Sequence, residues 1–183
     1  LPPLTFITSS ENKFAEAVRL LGRPLARAAL ALDEIQETAL APVVAHKARS
    51  AYARLGGPVL VEDTGLAFAA WNGLPGALVK WFLSSLGNEG ICRLLRHESN
   101  RAATATTIFG YYDGALYRAF SGSVEGVITE FPRGTRGFGW DRIFQPAGSE
   151  RTFAEMPPEE KDRFSMRRLA IEQLRESGVL DHA

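Results

Sequence analysis

Two adjacent carboxylates, Glu62 and Asp63, follow an apolar run in Pro58-Val59-Leu60-Val61-Glu62-Asp63-Thr64-Gly65-Leu66. Residues 59–61 read as a short buried strand, because aliphatic and β-branched residues bounded by turn residues suit a strand better than a helix. Two acids at the tip of that strand raise each other's pKa unless a cation or hydrogen-bond donors answer them. A divalent ion would do so well, since Mg2+ takes carboxylate and water oxygens. The same residues also suit a strand running into a solvated acidic turn, and this stretch alone does not separate the two.

Three other segments carry chemistry-bearing residues. Thr8-Ser9-Ser10-Glu11-Asn12-Lys13 joins a strand to a helix, so hydroxyls, helix-start N–H groups and a lysine converge as in a phosphate cradle. It lacks the glycine spacing of a Walker A loop, and a plain helix cap with a solvated lysine is the more common explanation of such a segment. Gly134-Thr135-Arg136-Gly137-Phe138-Gly139-Trp140-Asp141 offers exposed backbone, two flat rings for stacking a base and a carboxylate to accept ring N–H groups. Its alternative is a loop pinned into the core by Phe138 and Trp140. In the terminal helix, Lys161, Ser165 and Arg168 share a face at helical spacing, while Arg167 lies on another side with Phe164, Ile171 and Leu174. Such basic residues are ordinarily solvated, and for Ser165 and Arg167 to meet one ligand the helix must end or distort there.

Other chemistries are excluded. His46, His97 and His182 have no Cys or His neighbour at metal-ligand spacing. No Gly-x-Ser-x-Gly elbow occurs. The single Cys92 rules out an internal disulfide, reads as a small buried apolar residue and fits a reducing compartment, so a cytoplasmic location is expected. Lys plus Arg total 21 and Asp plus Glu total 21. That balance argues against broad binding to nucleic acid or anionic membrane. No run is long enough to span a membrane, and Leu1-Pro2-Pro3-Leu4 has no signal-peptide pattern.

The elements that must position these residues alternate strand and helix, which defines an α/β class over one domain, 1–183. A strand at 4–8 leads into a helix whose Phe14, Ala17, Val18 and Leu21 share a stripe, ended by Gly22 and Pro24. A weak strand at 25–32 precedes a helix at 42–55 that presents Val44, Ala48, Ala51 and Leu55 and stops at Gly56-Gly57. Residues 79–86 and 89–97 read as two short helices. Residues 102–112 and 115–123 read as a hairpin with a two-residue Asp113-Gly114 turn, extendable by 124–131. The final helix is expected to run unbroken from 158 to 176.

In this order the segments resemble the inosine triphosphate pyrophosphatase family, which hydrolyses non-canonical purine nucleoside triphosphates. The resemblance runs from Phe6 to about Leu174 and is carried by Val61-Glu62-Asp63-Thr64-Gly65-Leu66, Gly73-Leu74-Pro75-Gly76, Phe138-Gly139-Trp140-Asp141 and Phe153-Ala154-Glu155-Met156 with Glu160-Lys161. It implies an elongated mixed sheet with flanking helices, two lobes around a central substrate cleft, a homodimer, and cleavage to a monophosphate and pyrophosphate with Mg2+ or, as a substitute, Mn2+. It implies Glu37 and Asp63 as metal ligands, with Asp63 activating water and Glu62 assisting. Thr8, Ser9, Ser10, Lys13, Thr64, Lys47 and Lys80 would handle phosphates. Phe138, Gly139, Trp140 and Asp141 would form the base pocket, closed by Lys161, Ser165, Met166 and Arg167. Four departures touch the base end or its surroundings. Ser165-Met166-Arg167 stands where Ser-His-Arg is usual, Ser10 and Val43 stand where asparagine is common, and Arg142 replaces a proline. Methionine cannot donate the hydrogen bond that a histidine gives a 6-oxo group, so a shifted or broadened base preference is expected. A Maf-type pyrophosphatase and a nucleotide-binding module without turnover are the alternatives.

Overall fold

The computed structural model describes residues 3–180. His182 lies outside the described residues. In chain order the elements are β1 (Thr5–Ile7), α1 (Glu11–Leu21), β2 (Ala26–Ala28), α2 (Leu40–Leu55), β3 (Val59–Phe68), β4 (Pro75–Gly76), α3 (Val79–Leu94), β5 (Ala102–Tyr112), β6 (Tyr117–Ile128), β7 (Phe144–Pro146), α4 (Pro158–Phe164) and α5 (Met166–Glu176). Six strands follow the order β2-β1-β3-β5-β6-β7, and β4 pairs separately with β3. β1 runs parallel to β2 and β3, whereas β3–β4 and β6–β7 are antiparallel, so the sheet is mixed and the class is α/β, as expected.

The chain folds as two compact units. The first takes the chain up to Thr64, Thr107–Gly122 and the chain from Met166 on; the second takes Gly65–Thr106 and Ser123–Ser165. In the first unit α1 packs on α5, and Phe6, Ala17, Leu60, Phe109, Ala170 and Leu174 share one buried cluster. Val44, Ala48 and Ala51 of α2 bury with Val59 and Val61 in another. Leu55, expected on that α2 stripe, is instead exposed. It is the last residue of α2, which ends at Gly56 (φ 73°). Gly122 lets β6 and the start of α5 approach closely, since a Cβ there would lie 2.7 Å from both Ala170 N and Leu169 Cβ.

The second unit has an aromatic core in which Trp140 meets Phe144 and Phe153 at centroid distances of 5.5 and 6.3 Å. The Gly-Leu-Pro-Gly loop supplies β4, whose Pro75 and Gly76 register with Ala67 and Leu66. Helix α3 breaks at Gly87 (φ 66°, ψ 178°), which separates the two expected helices at a residue suited to that conformation.

Four sequence expectations need correcting. β3 does not end at Val61 but continues to Phe68, because Leu66 and Ala67 gain a partner in β4. Glu62 and Asp63 are therefore mid-strand residues rather than a strand tip. The terminal helix is not continuous: Ser165 is extended (φ −77°, ψ 126°) between α4 and α5. The hairpin closes through a longer loop, in which Asp113 Oδ1 accepts from the Ala115 and Leu116 N–H groups at 2.9 and 2.8 Å. β6 accordingly starts at Tyr117 and stops at Ile128, and Phe131 is exposed.

Candidate active site

Alternation along β3 sends Glu62 and Asp63 to different surroundings. Glu62 is buried, 3.2 Å from Lys13 Nζ through Oε2 and 3.2 Å from Arg167 Nη2 through Oε1. Thr64 Oγ1 donates to the same Oε1. The hydroxyl has a single proton, so the Thr107 hydroxyl, 2.8 Å away, donates to Thr64, and Arg167 Nη2 donates to it at 3.3 Å. Burial alone would raise the Glu62 pKa, but Lys13, Arg167 and Thr64 outweigh it and bring it down to about 2. Glu62 is thus held as an anion by fixed partners.

Asp63 differs. Its Oδ1 accepts the Thr64 N–H at 3.0 Å and faces Lys13 Nζ at 3.8 Å. Among the described residues no donor reaches its other oxygen, Oδ2. Burial pushes the Asp63 carboxyl up, with Glu62 adding to the rise against the opposite pull of Lys13 and Lys47. A carboxylate so placed is a better proton acceptor than an ordinary aspartate.

Lys13 stands one turn into α1. Ser10 caps that helix by accepting the Lys13 N–H at 3.2 Å, and the Ser10 N–H in turn reaches Thr8 Oγ1 at 3.1 Å. Ser9 is exposed at the same turn. The turn is a helix cap, and its lysine is paired with two carboxylates rather than simply solvated. Lys47 of α2 pairs with Glu34 at 3.0 Å. Burial works against its charged form, but Asp63, Glu34 and Glu62 outweigh this and raise its pKa. Glu37 Oε1 accepts the Thr38 and Ala39 N–H groups at 2.7 and 3.2 Å, serving a helix start that has no side-chain cap of its own.

In the second unit Asp141 accepts the Phe138 N–H at 2.9 Å and pairs with Lys161 Nζ at 2.8 Å, both side chains being buried. The Lys161 ammonium also lies 4.8 Å from the Phe138 ring centroid. Phe138 stays partly accessible. Trp140 does not offer an open face: it is buried against Phe144 and Phe153, so the pinned-loop alternative describes it. Gly139 accepts from Asn88 Nδ2 at 3.1 Å through its carbonyl. Lys161, Ser165 and Arg167 are buried rather than solvated, because each meets a specific partner or packing surface once the helix breaks. Met166 is only 2% exposed. Lys80 is exposed on α3, with its Nζ 5.6 Å from the Trp81 ring centroid.

Sequence reasoning missed Glu16, Glu34 and Thr107. Glu16 pairs with Arg167 Nη1. It lies three residues after Lys13 on one helix, a spacing that places both on a common face and was available as a signal. Nothing around Thr107 or Glu34 distinguishes them locally.

Among the described residues no three His, Cys, Asp or Glu side chains gather as a metal cage. Mg2+ takes one or two carboxylates and leaves its other positions to water and phosphate. Asp63, with an oxygen that no donor among the described residues engages, fits such an ion; Glu62, turned to Arg167 and Lys13, does not.

The arrangement is a mixed α/β sheet that carries a lysine-flanked carboxylate. Residues 4–177 match the model of the Ham1 family, and the chain belongs to that family. It is 42% identical to the inosine triphosphate pyrophosphatase of Aspergillus fumigatus, covering 97% of this chain and 96% of the relative. It is 41% identical to the dITP/XTP pyrophosphatase of Methanopyrus kandleri, covering 93% of each. The fold also matches a HAM1 protein from Coxiella burnetii with a TM-score of 0.82 at 28% identity, over 100% of both chains.

Proposed function

We propose that this protein is a divalent-metal-dependent nucleoside triphosphate pyrophosphatase acting on non-canonical purine nucleotides. The observation that carries the reading is Asp63, a carboxylate with a raised pKa beside Lys13 and Lys47, in a chain that shares about two-fifths of its residues with named pyrophosphatases. Water attacks the α-phosphorus, the bond from that phosphorus to the bridging oxygen breaks, and pyrophosphate leaves as a monophosphate forms. Asp63 takes the proton that the attacking water gives up. Lys13 and Lys47 offset phosphate charge, with Lys80 and the Thr8–Ser10 turn assisting. Such transfer depends on positioning and charge neutralisation more than on covalent chemistry.

Asp63 would hold the metal, Mg2+ or Mn2+ in its place, with Glu37 as the second ligand the family resemblance implies. When bound, the ion would neutralise phosphate oxygens and make bound water more acidic. In the second unit Phe138 would stack on the base, and Asp141, held by Lys161, would accept from it. Glycines at 137 and 139 shape that loop. Ser165 and Met166 stand at the altered triplet, where the missing histidine donor supports a broadened base preference. A homodimer and a cytoplasmic location complete the proposal.

Pyrophosphate release from ITP, XTP, dUTP, GTP and ATP, with and without Mg2+, tests it. The reading expects Mg2+-dependent release with a preference for non-canonical purines that is less than exclusive. Nucleotide binding without release in any condition would favour a module that senses nucleotides instead.

A further inference from the structure

Within the second unit, the loop at 134–141 meets helix α3 on both sides of the helix break. Gly87 makes Asn88 and Glu89 the leading residues of the second helical segment. Asn88 Nδ2 donates to the Gly139 carbonyl at 3.1 Å. The amide cannot turn over, since its Oδ1 would then face that carbonyl. Oδ1 itself is buried and has no hydrogen-bond partner among the described residues. An unmade bond to a buried acceptor costs stability, so Asn88 aims its donor at the loop at the expense of its acceptor. On the first segment, Leu83 adjoins the same point: a Cβ on Gly139 would lie 3.9 Å from Leu83 Cδ1. Arg142 supplies a second tie. Its Nε donates to the Gly134 carbonyl at 3.1 Å, and its Nη1 lies 3.7 Å from Glu89 Oε1. That exposed ion pair is worth little alone, but it carries the guanidinium across from the loop to α3. The loop needs such ties. Phe138 stands between Gly137 and Gly139, at φ 72° and 61°, and glycine loses the most freedom when a chain is ordered.

We propose that Asn88 and Arg142 are positioning residues for nucleotide binding, which tie the loop at 134–141 to α3 and so hold the Phe138 ring ready for the base. The inference rests on the pyrophosphatase reading and deepens it. Lys161 and Asp141 hold the Phe138 N–H from inside the unit. Asn88 and Arg142 take the Gly139 and Gly134 carbonyls on the other side. When the competent loop conformation is only partly populated, apparent affinity falls by that fraction, while the bound complex reacts as before. Loss of a tie therefore raises KM and spares kcat. A ligand with phosphates and no base does not use the loop, and its affinity stays.

The test compares wild type with Asn88→Asp, Asn88→Ala and Arg142→Met. Asn88→Asp keeps the shape of the side chain and loses its donor. Asn88→Ala loses the donor and the unpaired Oδ1 together, so its Tm should equal or exceed that of wild type. kcat and KM are measured for ITP and GTP, the Kd for inorganic tripolyphosphate by calorimetry without divalent ions, and deuterium uptake over residues 134–142 by mass spectrometry. Each variant is expected to raise KM about threefold to tenfold for both nucleotides, the weight of one hydrogen bond. kcat and the tripolyphosphate Kd should stay within about twofold of wild type, and the loop should take up deuterium faster. An unchanged KM in the Asn88 variants or in Arg142→Met, a tripolyphosphate Kd that rises as much as KM, or unaltered loop uptake would each overturn the proposal. These outcomes leave the pyrophosphatase reading standing. Wild type that releases no pyrophosphate from any nucleotide would overturn that reading, and the inference with it.

Discussion

The carboxylate of Glu62 and the guanidinium of Arg167 meet at 3.2 Å, with the two side chains 1% and 2% exposed, although 105 residues separate them in sequence. The pair joins β3 to α5 inside the first unit. It converts what looks locally like an acidic turn into a buried electrostatic framework for Lys13 and Asp63.

Glu62→Gln leaves Arg167 with one carboxylate and Lys13 with one. Removing one member of a buried ion pair costs about 3–5 kcal/mol, so urea denaturation should show a loss of that order. The pH dependence has a definite sign. The folded pKa of about 2 lies below the ordinary 4.5, so the stabilisation is present above the unfolded value and is lost as pH falls through the folded one. Wild type should lose stability between pH 4.5 and about 2 more steeply than Glu62→Gln. Parallel acid limbs would show that the Glu62 pKa is not lowered by folding.

Gly122→Ala tests the approach of β6 to α5. The added methyl meets the Met166 carbonyl and lies 2.7 Å from Ala170 N, and backbone cannot step aside as a flexible side chain can. Destabilisation of about 1–3 kcal/mol is expected, read as a lower Tm. An unchanged Tm would mean that α5 shifts freely, and with it the seat of Arg167.

Lys161→Met strips Asp141 of its cation and Phe138 of the ammonium on its ring. The loop at 137–141 should loosen, so KM for the nucleotide should rise by about tenfold while kcat changes less, the pattern of lost binding that is equal in ground and transition states. A fall confined to kcat would place Lys161 with the reacting phosphates instead.

The legible parts of the sequence were those with local causes. The Ser10 cap, the α2 stripe of Val44, Ala48 and Ala51, and the glycine stops at Gly22 and Gly56 all arise within a few residues. Where distant partners decide, local reading failed. Glu62-Asp63 looked like a strand tip because two acids inside a sheet are expensive, and the cations that offset them come from α1, α2 and α5. The break at Ser165 carries no glycine or proline of its own. It permits what an unbroken helix forbade, a buried Ser165 followed two residues later by Arg167 turned to Glu62. Trp140 was ambiguous because a stacking platform and a core anchor use the same ring, and only Phe144 and Phe153 decide between them.

The measurement closest to the central claim is pyrophosphate release from ITP by Asp63→Asn, set beside nucleotide affinity from calorimetry. Asparagine keeps the size of Asp63 but cannot take up the proton from water. Turnover should fall by about a hundredfold to ten-thousandfold, the usual weight of a general base, with affinity retained within a few-fold. Turnover equal to wild type at full nucleotide occupancy would contradict the account and remove Asp63 from the chemistry.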